Sequence, residues 1–201
     1  MQDLPFDITH VDDQDIKLLA DTYAALRKKF KVAISKNPAF DPGSFDVLNT
    51  QTGVSVGGTL LINHPESGCY LVFVKVAAGV SAQEIFTYQV WASATLRNDF
   101  GKMSIRRETL VDKIPNAADQ PGMYFKDDPS FSKKFNVVAD NRQKAARAMT
   151  KAFRNVINET GKTDWEIEIA GSSLVMGSTH PVEPRQVVYL AETASKFSKV
   201  K

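Results

Sequence analysis

Four cations carry the clearest chemical pattern in this chain. Lys144, Arg147, Lys151 and Arg154 recur at i, i+3, i+7 and i+10, with Lys133 and Lys134 upstream and no acid interrupting the helix before Glu159. On one continuous helix this spacing makes a narrow basic stripe, suited to the phosphates of a nucleic acid or the headgroups of an anionic membrane surface. Such a stripe works only if its side chains are exposed and unpaired. Tied to acids such as Glu166 and Glu168, the same residues are an ordinary solvated helix face. A formal net charge of +2 demands no polyanionic partner.

Catalytic and metal chemistry find less support. His10, His64 and His180 fall in separate loops or termini and match neither H-x-x-x-H nor H-E-x-x-H. His64 beside Pro65-Glu66 and His180 beside Pro181 could meet in space and, with loop acids, assemble a hydrolase-type site. Gly53-Val54-Ser55-Val56-Gly57 matches G-x-S-x-G, but that motif needs a strand-to-helix elbow to expose the serine. Here Thr59 to Ile62 continue as strand. Cys69, the single cysteine, opens an apolar run with no cation nearby and reads as a buried, inert thiol. Gly57-Gly58 lacks the flanking residues of a phosphate loop, and Asp12, Asp13, Asp15, Asp127 and Asp128 lack the spacing of a calcium loop. Neither a metal nor a cofactor is implied.

The elements that position these residues follow from periodicity. Phe135, Val137 and Ala139 alternate with Asn136 and Val138, predicting a strand. Asp140 or Asn141 then caps a helix whose apolar face is Ala145, Met149, Ala152, Phe153, Val156 and Ile157, closed by Gly161. Trp165, Ile167 and Ile169 alternate with Glu166 and Glu168, and Gly171-Ser172 turns the chain into Leu174-Val175-Met176. Upstream, Ile16, Leu19, Tyr23, Leu26 and Phe30 form one helical stripe after the caps Asp12 and Asp13. Phe45 and Val47 read as a short strand, and Gly57-Gly58 inside the next one marks a bulge or a close backbone approach. Tyr70 to Val76 is apolar at every position but Lys75, as a strand covered on both faces would be. The segment 85–93 has mixed periodicity, and its β-formers favour strand.

These elements predict one α+β domain over 1–201, a single mostly antiparallel sheet with two to three helices on one face. Its parts are an N-terminal helix over 12–35, a strand-rich region over 44–111, a loop over 115–130, a strand–helix–hairpin over 131–178 and a C-terminal helix over 181–198. At 201 residues with 43% apolar and 24% charged side chains, the chain is long enough to bury a core.

Residues 128–178 also resemble a loose group of prokaryotic proteins of unknown function, typically membrane-anchored with a soluble α+β portion. Asp128, Phe131, Phe135, Val137, Asp140 and Ala145 carry the match, and Gly53 to Asn63 is similar to the strand before that group's central hairpin. The resemblance implies an α+β fold and no activity. This sequence departs from the group in having no apolar run long enough to span a bilayer.

The functional expectation is a non-enzymatic binding domain whose partner is another protein. It is expected in the cytoplasm or as the soluble part of a membrane-associated system, and should present an exposed apolar patch or an open sheet edge. A hydrolase built on His64 and His180, and a polyanion binder using Lys144, Arg147, Lys151 and Arg154, are the alternatives.

Overall fold

The structure, a computed structural model, describes residues 4–35, 42–49, 53–63, 69–77, 85–109, 122–160 and 163–200. Eight strands form one antiparallel sheet in the order β1-β2-β3-β4-β8-β7-β5-β6. They are β1 (Lys31–Ile34), β2 (Ser55–Asn63), β3 (Cys69–Ala77), β4 (Phe86–Thr95), β5 (Lys102–Arg107), β6 (Phe135–Ala139), β7 (Glu166–Ala170) and β8 (Ser173–Gly177). Six α-helices accompany them among the described residues: α1 (Asp13–Lys29), α2 (Asp46–Asn49), α3 (Pro129–Ser132), α4 (Arg142–Ala148), α5 (Lys151–Glu159) and α6 (Pro184–Phe197). The α+β sheet follows the expectation, and the helices outnumber it.

The helices lie on both faces of the sheet. Leu19 and Leu26 of α1, Ala145 of α4, Phe153 and Ile157 of α5, and Leu190 and Phe197 of α6 share one large apolar cluster with Leu71, Phe73, Ile105, Ile167 and Met176 of the strands. Phe45 and Leu48, at the start of and within α2, pack on the opposite face against Val72, Val74, Trp91 and Val175. Strand β3 therefore buries both of its faces, as its nearly unbroken apolar run foretells. The hairpin turn closes at Ala170 opposite Ser173, and Gly171 takes φ 65° there, a conformation costly for other residues. Both readings of Gly57-Gly58 hold: the β2–β3 register shifts between Val56 and Gly58. In addition, a Cβ on Gly57 would sit 1.9 Å from the Tyr88 hydroxyl.

Four local expectations are corrected. The helix placed over 12–35 stops at Lys29, because Phe30 turns extended (φ −128°) and Lys31–Ile34 joins the sheet as β1. Asp46–Asn49 is helical and Phe45 lies just before it, so this segment is not a strand; both carboxylate oxygens of Glu168 accept the first amides of α2, Asp46 N at 3.0 Å and Val47 N at 2.9 Å. The long loop is interrupted at its end by α3, which Asp128 caps by accepting from Phe131 N at 3.1 Å; residues 110–121 lie outside the described segments. Finally, the helix after β6 is two helices. Asn141 rather than Asp140 caps α4, and Thr150 caps α5 by accepting from Phe153 N at 3.3 Å, so the chain bends at Met149.

The N-terminal lead-in is fastened to the sheet. The Phe6 ring packs tilted against Phe73 with centroids 4.3 Å apart, Asp7 N donates to Gly57 O at 2.8 Å, and Tyr88 Oη donates to Asp7 O at 2.6 Å. The buried Lys75 ammonium lies 2.9 Å from the Asp7 carboxylate and over the Phe86 ring.

Candidate functional site

The bend at Met149 decides the fate of the basic stripe. Lys144 and Arg147 belong to α4, Lys151 and Arg154 to α5, and the four do not line one helix face. Arg154 is only 3% exposed. Its Nη1 donates to Met149 O at 2.7 Å, its Nη2 pairs with Asp127, its Nε lies 3.5 Å from Asp128, and its guanidinium covers the Phe125 ring. It clamps the α4–α5 bend to the turn before α3. Lys144 is held by Asp99 at 2.6 Å, and that pairing lowers the Asp99 pKa. Arg147 and Lys151 remain exposed. Lys144 and Arg147 border an open concavity with Asn98 and Gln143.

The other candidates separate. His64 lies outside the described residues. His180 is exposed and edges a cavity of about 20 Å³, room for one water. Ser55 opens β2 opposite Lys75, with strand on both sides of Val56 and no elbow. Cys69 is fully buried; desolvation pushes its thiol up to about 11, against a hydrogen bond from Ser195. Among the described residues no group of acids, histidines or cysteine is arranged to hold a metal, and no helix is long and apolar enough to cross a membrane.

Two surfaces of the sheet stand out instead. The first is the β1 edge. Ser35 N donates to Thr59 O at 2.9 Å, so the antiparallel alternation turns the amides of Lys31 and Ala33 toward β2. Val32 and Ile34 then present their N–H and C=O groups away from the sheet, where no described strand pairs with them. Ile34 is 59% exposed. The exposed Lys28 and Lys31 flank this edge. At the opposite edge, β6 is covered by the chain beside it, with Met123 N donating to Val137 O at 2.7 Å.

The second is a groove of about 510 Å³ across β6, β5 and β7 on the sheet face that α2 borders. Asp46 and Val47 form one wall; Ser104, Arg106 and Val138 lie along the floor, with Lys102 and Glu166 at its sides. Neither surface is marked by a local motif in the sequence. Ile34, four residues after Phe30, continues the helical stripe and masks the strand period it shares with Val32, whereas Lys102-Met103-Ser104-Ile105-Arg106 alternates polar with apolar, as a strand with one open face does.

No family model matches the chain, and no curated protein matches it. Among solved structures it is similar to the crystal structure of the mycobacterial trehalose monomycolate transport factor A, TtfA, with a TM-score of 0.53 at 10% identity, covering 90% of this chain and 93% of that one. At that identity the likeness is one of fold.

Proposed function

We propose that this chain is a non-enzymatic interaction domain that adds an extended segment of another protein to its sheet at β1. The observation behind this reading is the asymmetry of the sheet edges: β6 is covered, whereas β1 offers outward backbone groups and an exposed Ile34. Natural sheets rarely leave such an edge unprotected, because it templates strand addition. Lys28 and Lys31 beside it make the fitting segment acidic. An accessory role of this kind suits a fold shared with a protein named as a transport factor. The polyanion reading loses Arg154 to a structural clamp, and among the described residues the hydrolase reading finds no hydrogen-bonded acid for the His180 side chain.

The test uses a soluble peptide alternating valine with glutamate, its lysine-for-glutamate counterpart, and hydrogen exchange of the 31–35 amides. The acidic peptide is expected to protect Val32 and Ile34 and the basic one to protect neither. Ile34→Pro, which removes an outward N–H and no ladder bond, should weaken binding at least about tenfold without lowering the melting temperature appreciably. Protection that Ile34→Pro leaves unchanged overturns the reading. So does concentration-dependent dimerisation through the same edge, which makes the occupant a second copy of the chain.

A further inference from the structure

The groove across β6, β5 and β7 lies at the other end of the sheet from β1 and is independent of the edge. Its volume of about 510 Å³ is within the range of small-ligand sites. Most of its charges are already committed. Glu168, 5% exposed, gives both oxygens to the amides opening α2. Asp46 pairs with Lys102 at 2.7 Å, and Asp140 accepts from Lys102 N at 3.1 Å and Asn141 N at 2.6 Å. These contacts fix a frame of donors and acceptors that needs no ligand to hold it. Within the frame, Ser104 and Glu166 have no partner among the described residues, and the half-buried Val47 and Val138 supply apolar patches.

We propose that this groove binds a neutral, hydroxyl-rich ligand: a sugar, free or as the headgroup of a glycolipid. A phosphate would enter against Asp46, Asp140, Glu166 and Glu168 and meet like charge, whereas an amine, which only donates, offers no acceptor to the Ser104 hydroxyl. Each hydroxyl of a sugar both donates and accepts, and so can donate to Glu166 while accepting from Ser104. The ring's C–H faces lie against Val47 and Val138. The ligand is recognised by hydrogen bonds in a preformed site, and a ligand without hydroxyls forgoes the bonds to Glu166 and Ser104.

The experiment follows backbone amide resonances of the whole chain during titration with maltose and trehalose, and separately with dodecyl maltoside beside a dodecyl detergent that carries no sugar. Saturable shifts confined to residues 102–106, 138–140 and 166–168 are expected. Ser104→Trp fills the groove from an exposed position and should weaken binding at least about tenfold; Glu166→Gln should weaken it about threefold to tenfold. Saturation by the free disaccharides assigns a free sugar. A response to dodecyl maltoside alone, lost in Ser104→Trp and absent with the other detergent, assigns a headgroup. No saturable shift with any sugar overturns the proposal. So do shifts that Ser104→Trp leaves intact, or a stronger response of these residues to inorganic phosphate or spermidine than to sugar.

Discussion

Arg154 shows how far a residue's chemistry depends on where the backbone takes it. Its type and spacing predict a cation facing solvent, yet it lies buried between Phe125 and two aspartates and satisfies the carbonyl at which α4 ends. Burial alone pushes the Asp128 carboxyl up; the Phe131 amide, the Ser130 hydroxyl and Arg154 outweigh it, so the carboxyl lies below its ordinary range. Removing the cation leaves Asp128 short of its partner and the Met149 carbonyl without its donor. Arg154→Met should therefore destabilise the protein by about 3 kcal/mol, while Arg147→Ala, at an exposed site, should change stability by no more than about 0.5 kcal/mol. Urea unfolding of the two variants checks the contrast; equal effects would put Arg154 back on the surface. That burial was not legible, because Asp127, 27 residues earlier, reads locally as a loop acid.

At the scale of elements, α2 is made by its partner. Four residues are too few to be helical alone, and Phe45 and Val47 favour a strand. Glu168 reverses that preference from 122 residues away by capping the amides of Asp46 and Val47. Glu168→Ala should release α2 from the sheet at a cost of about 2 kcal/mol, and Glu168→Gln, which keeps one acceptor, should cost less. Trp91 lies fully buried with Phe45 and Leu48, so native-state fluorescence should shift to the red in the alanine variant. An unshifted spectrum would show that α2 stays docked without its cap. The β7–β8 hairpin is the opposite case. Its alternation and its Gly171 turn were legible because every determinant lies within a few residues.

For the whole molecule, the N-terminal segment and the sheet are joined through one ion pair with a defined pH signature. Hydrogen bonds from the Thr9 hydroxyl, then from Lys75 and the Thr9 amide, lower the Asp7 carboxyl from 3.8 to about 2. A carboxyl depressed in the folded state stabilises it above the unfolded pKa, and that contribution is lost as pH falls from about 4 to 2. Asp7→Asn should thus flatten the acid limb of stability in that window. It should also cost about 2 kcal/mol at pH 7, because it deprives the buried Lys75 of its anion while Asp7 itself is half exposed. The variants should converge near pH 2, as urea unfolding at pH 7, 4 and 2.5 would show; a constant gap across that range would mean the pair contributes nothing through ionisation. The sequence by itself determined the α+β class, α6 and most of α1, the β6 strand, the β7–β8 hairpin and the doubly buried β3, since hydrophobic period and turn chemistry are local properties. Only the tertiary structure decided that Lys31–Ile34 is an open edge, that α2 exists, that the basic stripe is split, and that Ser104, Arg106 and Glu166 border one groove. Each of those depends on groups tens of residues apart meeting across the sheet, and no local pattern encodes that meeting.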